Sequence, residues 1–457
     1  MDNIIEGFEE EKKNASDSQI DDVLEGFDDA VIDPPFEDDE PSEAEADHTK
    51  DSVSTASLDG YLKLGATWNF AHDPPETGET DWRGLSRCRT EARTDLDAKV
   101  MPHWRLLIGT KLFYDFAYAL KGRDEFTEEV LNAYEDEVEL AEAFVQGRLN
   151  RYLDVKTGRQ IVVWGRSDNI RITDVLNPLD LREPGLTDIE DLRLPVAMTR
   201  LDGYWAQWHL SAIALHEIRF GKSPVYGHDF FPATAPPPEE NRPGCGGSNT
   251  EWALALNGIF SGKDISFYWA DLFNDVAHVK MGRSGQLTRE HARATLWGAA
   301  GNLALGNWLL KGEAAYWQDL QFFNVTDRRF NRLDGLLGIE YTGWNETTVS
   351  VDWAVRHILD FDRRLTSSPD YAQEDEFQSA LRISRDYLNE TLNVTLLAMV
   401  YGSLGQDGAL ERMTLSYDWN DAVNTTFGVV LYQSGDSFLL SDIDDNDRMF
   451  LEIRYSF

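Results

Sequence analysis

Asp447-Arg-Met-Phe-Leu-Glu-Ile-Arg-Tyr-Ser-Phe457 closes the chain, and its reading decides the fold. Side chains alternate across a strand, so Met449, Leu451, Ile453, Tyr455 and Phe457 share one face. Arg448, Glu452, Arg454 and Ser456 share the other. A strand buried in a soluble core rarely turns three charges inward. Lipid on one side and water on the other calls for this pattern, although the surface strand of a sandwich also tolerates it.

The same period of two recurs upstream. From Arg87 to Lys99 the odd positions are Arg87, Arg89, Glu91, Arg93, Asp95, Asp97 and Lys99, while the even positions from Cys88 to Ala98 are small or apolar. Seven consecutive charges on one face need water on one side only. The next segment sets Trp104, Leu106, Ile108, Leu112, Tyr114 and Phe116 against Arg105, Lys111 and Asp115. Strands are expected at 57–70, 86–100, 102–119, 140–152, 155–165, 199–209, 211–220, 250–260 and 264–273. They continue at 290–302, 307–318, 332–343, 347–358, 375–387, 391–402, 409–419, 422–433 and 447–457, about eighteen in all. Their connections alternate. Short turns such as Met101-Pro102, Ser261-Gly262-Lys263 and Asn420-Asp421 separate long loops at 71–85, 120–139, 166–198, 221–249, 274–289, 319–331, 359–374 and 434–446, with 403–408 a short exception. Outer-membrane barrels alternate in this way, and a sandwich has no reason to. The expected fold is therefore all-β, a transmembrane antiparallel up-and-down β-barrel embedded in outer-membrane lipid, with both termini on the periplasmic side. A final apolar strand ending on an aromatic also resembles the assembly signal of such barrels. That resemblance implies recognition of Tyr455 and Phe457 by the barrel-assembly machinery.

Composition agrees. No apolar run approaches the ~20 residues of a membrane helix, and 14 Trp suit aromatic girdles at two lipid–water interfaces. A net charge of −39 in 457 residues argues against a nucleic-acid partner. Cys88 and Cys245 support no disulfide framework; they either form one bridge or stay free. Met1 is followed at once by Asp2 and Asn3, so an exported barrel implies that Met1 stands in for a removed leader.

Residues 1–56 are a different kind of chain. The first 50 carry 19 acidic residues against three lysines, too polar to offset the entropy of ordering, so a disordered periplasmic tail is expected. Within it Ile4-Ile5-Glu-Gly-Phe8 and Val23-Leu24-Glu-Gly-Phe27 repeat two aliphatics and a Phe. One reading is a bivalent docking peptide for a periplasmic or inner-membrane export partner; the other is a solubilising linker. The barrel occupies 57–457.

The most distinctive stretch is Gly158-Arg-Gln-Ile-Val-Val-Trp-Gly165, followed by Asn177-Pro-Leu-Asp180 and Leu194-Pro-Val196. These pieces resemble a family of proteobacterial outer-membrane proteins of unknown function, over about forty residues. The Gly-Arg-Gln step occurs also in alginate-export porins, a weaker resemblance. Genes of that family often lie beside resistance-nodulation-division (RND) type permeases and lipoprotein-sorting homologues. The resemblance thus implies a part in moving hydrophobic or lipid-like molecules and supplies no catalytic residues. From the residues themselves, 166–198 is too long and polar for a simple hairpin. It mixes Arg166, Arg171, Arg182 and Arg193 with Asp168, Asp174 and Asp180. Folded inward, it would meet wall charges such as Arg87, Arg89 and Arg93 and narrow a pore lined by these, Glu91, Asp95, Asp97 and Lys111. Folded outward, it would be an extracellular cap. With acids interleaved among the arginines, the net field is small, and no anion selectivity is expected.

Weaker features complete the reading. Residues 121–142 suggest a short amphipathic helix, and 221–249 an external loop, stiff and then flexible. Asp442-Ile-Asp-Asp-Asn-Asp447 offers oxygen ligands for calcium but lacks the Gly and final Glu of an EF-hand loop, so no metal is assigned. No nucleophile elbow, zinc spacing or phosphate loop appears, and no cofactor or enzymatic activity is expected. The sequence points to a porin-like channel for a small or amphipathic molecule. The alternative is a barrel anchor for an RND-type export system, docked through the tail.

Overall fold

The computed structural model describes residues 56–75, 78–188, 191–233 and 235–457. The tail and the residues expected to dock a partner, Ile4, Ile5, Phe8, Val23, Leu24 and Phe27, lie outside the described residues. Eighteen strands among those described form one closed antiparallel sheet. They are β1 (Ala56–Asn69), β2 (Gly84–Met101), β3 (Trp104–Asp115), β4 (Asp136–Asn150), β5 (Leu153–Gln160), β6 (Val196–Trp205), β7 (Trp208–Leu215), β9 (Glu251–Phe260) and β10 (Lys263–Phe273). The remainder are β13 (Arg293–Leu305), β14 (Trp308–Leu320), β15 (Phe330–Trp344), β16 (Thr347–Ile358), β17 (Asp375–Tyr387), β18 (Leu392–Tyr401), β19 (Gly408–Asn420), β20 (Val423–Gln433) and β21 (Arg448–Ser456). Each pairs with the next, and β21 closes on β1 from Tyr61↔Ser456 to Asn69↔Arg448. Short and long connections alternate, and the described chain begins and ends on the short-turn side. Three further strands, β8 (Glu239–Asn241), β11 (His278–Met281) and β12 (Leu287–Glu290), form a separate small sheet from two long loops.

The terminal strand settles inside from outside. Met449, Leu451, Ile453, Tyr455 and Phe457 are exposed on the outer surface, whereas Arg448 and Phe450 are buried. Leu62, Leu64, Leu112, Leu254, Phe267, Leu337 and Leu396 extend that exposed apolar surface around the wall. Such an area is stable only under lipid. Tyr152, Trp205, Trp308, Trp344 and Trp419 ring its short-turn margin; Trp68, Tyr114, Phe116 and Trp252 mark the other.

The lumen is not uniformly wet. Many inward residues of β6 to β17 are small or apolar, among them Met198, Ile213, Ala253, Ala255, Ala270, Leu296, Ala315, Leu336, Ala354 and Ala380, with buried charges such as Glu313 and Asp352 between them. The alanines leave room for Val162, Trp164, Ile170, Ile172 and Leu176, which fill that half of the barrel with an apolar core. On the opposite side, β1 to β4 and β17 to β21 keep polar inner faces.

Several boundaries correct the sequence reading. The strand expected at 155–165 leaves the wall after Gln160, because Ile161–Gly165 turns into the lumen core. That expected at 211–220 ends at Leu215, where the chain folds over β6 through His216 N to Ala197 O, 2.9 Å. The helix expected over 121–142 is α2 (Glu128–Tyr134), preceded by the single turn α1 (Ala117–Lys121). Thr127 caps α2 by accepting from Val130 N. Residues 136–142 are already strand, since Val138 and Leu140 face outward. The loop at 221–249 is not wholly external: His228 and Phe230 are buried against Tyr134 and Tyr432. Cys88 and Cys245 are both free thiols.

Candidate functional site

Residues 161–188 and 191–195, between β5 and β6, pass through the barrel interior, and the motif residues are what hold them there. Gly158 has φ +128°, and a Cβ on it would lie 2.3 Å from Ala143 O, so only glycine lets β5 approach β4 this closely. Gly165 has φ +94°, and a Cβ there would lie 2.9 Å from the Glu313 carboxylate. Asn177 is fully buried and ties the two ends of the segment together. Its Oδ1 accepts from Val162 N at 2.7 Å, and its Nδ2 donates to Gln160 O at 3.1 Å and Leu194 O at 2.9 Å. Leu194 N returns a bond to Pro178 O at 2.8 Å. Trp164 stacks on Tyr268 with ring centroids 4.7 Å apart.

The far wall receives the segment through two acids. Glu313, buried on β14, accepts from Arg166 N (2.6 Å), Ser167 N (3.0 Å), Thr173 N (3.1 Å) and Thr173 Oγ1 (2.7 Å). Asp352 on β16 accepts from Ser167 Oγ and Asn169 Nδ2 at 2.8 and 2.9 Å. Arg166 donates to Asp264 at 2.7 Å and Ser266 at 2.6 Å, and Lys311 donates to Asp168 at 2.9 Å. Other charges bind within the segment: Asp174 lies 3.0 Å from both Arg171 and Arg193, and Arg182 donates to Asp180 at 2.9 Å and to Glu137 of β4 at 2.7 Å.

Glu183 joins the segment to the charged stripe of β2. It accepts from Arg89 at 3.0 Å and lies 3.5 Å from Arg87, which also donates to Glu452 at 2.6 Å. Burial alone would raise this carboxyl, but Arg89 and Arg87 outweigh it and hold it at about 2. Arg93 does not reach the segment; it bonds Asp95 at 2.8 Å. Asp97 accepts from Arg105 at 2.9 Å. Glu91 is surrounded by Tyr61 (2.7 Å), Lys63 (3.4 Å) and Lys111 (3.5 Å). Glu183, Glu313 and Asp352 were not among the site residues expected from sequence. Their inward register was readable for the two on strands; Glu183 carried no signal of its own.

Two cavities lie beside the segment among the described residues. The upper, of about 220 Å³, is lined by Arg87, Arg89, Glu91, Arg93 and Lys111 of the wall and by Asp180, Arg182, Glu183 and Arg193 of the segment. It has seven cationic and seven anionic side chains. The lower, of about 500 Å³, reaches the short turn at Asn420-Asp421-Ala422. Its wall repeats one arrangement: Asn393 bonds Ser384 and Asp386, and Asn424 bonds Ser416 and Asp418. Lys63, Thr187 and Asp191 line both cavities.

Aromatic residues cover the mouth. Trp82, Tyr118, Phe126, Val130 and Tyr134 form one cluster, and His228 stacks on Tyr134 at 3.9 Å. Next to it, buried Asp229 accepts from Arg448 Nη2 at 3.0 Å. Burial opposes the charge on Asp229, but Arg448 and His228 hold its carboxyl below the usual range.

Ser211, His209 and Asp202 meet on β6 and β7, but His209 Nε2 faces both Asp202 (2.9 Å) and Ser211 (3.2 Å), and Ser211 itself donates to Asp202 at 2.6 Å. A relay would need the two imidazole nitrogens on different partners. In the acidic run at 442–447, Asp444 and Asp447 accept from Ser434 Oγ and Tyr432 N, and Asp445 lies 3.1 Å from His72 Nδ1. Among the described residues no acidic, His or Cys group is arranged to hold a metal ion.

Residues 42–457 match the family described as "Protein of unknown function (DUF1302)". No curated protein matches the chain. Among solved structures, Acinetobacter baumannii OccAB2 is 9% identical with TM-score 0.52, covering 88% of this chain and 98% of its own. OccAB4 of the same organism is 10% identical with TM-score 0.52, covering 90% and 100%. The outer membrane protein opdK from Pseudomonas aeruginosa is 11% identical with TM-score 0.50, covering 88% and 98%. At such identities the shared property is the barrel fold.

Proposed function

The chain belongs to the DUF1302 family, and we propose that this member is a porin-like outer-membrane channel, narrowed by its 166–198 segment, for small or amphipathic molecules, lipid-like ones included. One observation carries the reading: the inserted segment fills one side of the lumen and leaves two cavities that meet at Lys63, Thr187 and Asp191 on the other. The paired lining charges let a polar solute exchange one partner for the next without crossing a region of single sign. Their balance favours neutral or zwitterionic head groups over a strong preference for either ion.

Single-channel conductance in planar bilayers tests this. Small, steady currents with weak ion selectivity are expected. Silence from folded barrels under all applied voltages would sink the channel reading and leave the alternative, a barrel anchor for an RND-type export system. That role would belong to Phe8 and Phe27 of the tail. Replacing both with Ala should then abolish capture of the export partner without changing any current.

A further inference from the structure

Between β4 and β10 the wall is incomplete. Asp136–Leu140 of β4 pair with β3, from Tyr114↔Asp136 to Thr110↔Leu140, but the β4–β5 ladder begins only at Ala143↔Arg159. β5 stops at Gln160, β6 starts at Val196, β7 stops at Leu215 and β9 starts at Glu251. Among the described residues, the edge 136–142 of β4 therefore has no strand beside it, a gap of about 23 Å at ~3.3 Å per residue. A bulge marks where the ladder ends: Ala141 and Glu142 together face Gly109.

Side chains close this gap. Arg159 Nη1 donates to Leu140 O at 2.8 Å, and Ile161 N to Glu142 Oε1 at 3.1 Å. Arg219 bonds Glu139 and also Pro195 O at 2.7 Å; Lys222 bonds Glu137 and lies 3.5 Å from Glu139. Ion pairs of this kind exchange with water far more readily than a ladder does. The seam lies at lipid depth, because Tyr114, opposite Asp136, belongs to the upper aromatic margin and the edge runs downward from it. Val138 on this edge is 75% exposed, beside Leu140. Next to these apolar residues runs an outward polar row: Thr157, Thr199 and His216 linked at 2.9 Å each, and Arg159 with Glu217 at 2.5 Å. Polar groups facing out of an apolar band are costly without water or a polar ligand. Directly behind the seam is the upper cavity, with Glu137, Glu139, Ala141, Glu142 and Ile161 in its lining.

We propose that this seam is a lateral portal through which a single-chain amphiphile passes between the upper cavity and the membrane. The head group occupies the charge-balanced cavity while the chain lies along Val138 and Leu140. This deepens the channel reading and rests on it.

The test uses the full chain in proteoliposomes, with Cys88→Ser and Cys245→Ser as background. Ala141→Cys places a thiol behind the seam; Phe113→Cys places one in the same cavity behind an intact ladder. Two probes are compared, hexadecyl-maleimide held in the bilayer and a sulfonated, water-soluble maleimide. The Ala141→Cys protein should react with both and the Phe113→Cys protein with the soluble probe alone. Adding Glu139→Gln and Arg219→Gln should speed reaction with the lipid probe several-fold, in barrels whose heat-modifiable gel mobility shows that they are folded. Reaction of Ala141→Cys with the soluble probe only would overturn the portal and leave the channel intact. Failure of both variants with both probes, together with electrical silence, would overturn the channel reading and the portal with it.

Discussion

Asn177 satisfies three buried backbone groups with one side chain, at both ends of a segment more than thirty residues long. Asn177→Ala leaves Val162 N, Gln160 O and Leu194 O without those partners in a dry environment, a cost of about 3 kcal/mol. The heat-modifiable transition should fall by several degrees and the segment become cleavable by protease. Unchanged protease resistance would show that the apolar core alone fixes the segment. Glu183 gives a pH-dependent counterpart. Its carboxyl titrates at 4.5 when free and at about 2 in place. A depressed acid stabilises fully above its free value and loses that contribution as pH falls through the folded one. Docking of residues 183–188 should therefore hold at pH 4, and conductance should rise only on acidification toward pH 2. Glu183→Gln should show the raised conductance at neutral pH. A step near pH 4.5 would mean that Glu183 is not ion-paired. Residue-scale roles were only partly legible in the sequence. The Arg87–Asp97 stripe was readable because a strand has a fixed period. Glu183 was one acid among many in a loop, with its partner Arg89 94 positions away.

The two halves of the inserted element are held by different forces. In residues 161–176, Val162, Trp164, Ile170, Ile172 and Leu176 are buried, each contributing about 1.5–3 kcal/mol. Residues 180–188 and 191–193 are held more by ion pairs, including Arg412 to Asp188 at 2.7 Å, whose acid is half exposed. An exposed pair contributes about 0–1 kcal/mol, so the stretch that ends at Asp188 is the part most able to move. Replacing residues 183–191 with a Gly-Ser linker should raise single-channel conductance several-fold while the barrel stays folded. Equal conductance would remove this element from the ion path. The sequence marked 166–198 as too long for a hairpin, and its charges made an inward course attractive. It did not reveal that the first half is an apolar plug, because Ile170, Ile172 and Leu176 are spaced singly among charges. The inward alanines that accommodate them, such as Ala253 and Ala354, look like ordinary strand residues. α2 was visible as a helix but ends earlier than its apolar spacing suggests, since Val138 continues the four-residue step from Phe126, Val130 and Tyr134 while sitting on β4.

At the scale of the molecule, strand number, alternation of loop length and the side on which the described chain starts and ends were all legible, because a barrel in lipid repeats one rule eighteen times. The exceptions are where tertiary contacts override that rule: β5 and β7 stop short, and their continuations cross the lumen or the rim. The described barrel is already narrowed without the acidic tail, by the inserted segment below and the aromatic cover at the mouth. Both contacts are internal to residues 78–457, and the lower cavity ends at the same short-turn side at which the described chain begins. A chain starting at Ser57 should therefore give the same single-channel conductance as the full chain at symmetrical high salt, where long-range fields are screened. At low salt the 16 net negative charges of the first 50 residues would concentrate cations near that opening. Removing the tail should then lower cation preference without changing the high-salt current. A large current that appears only on truncation would instead make the tail a plug, and the 166–198 segment would no longer account for the narrowing.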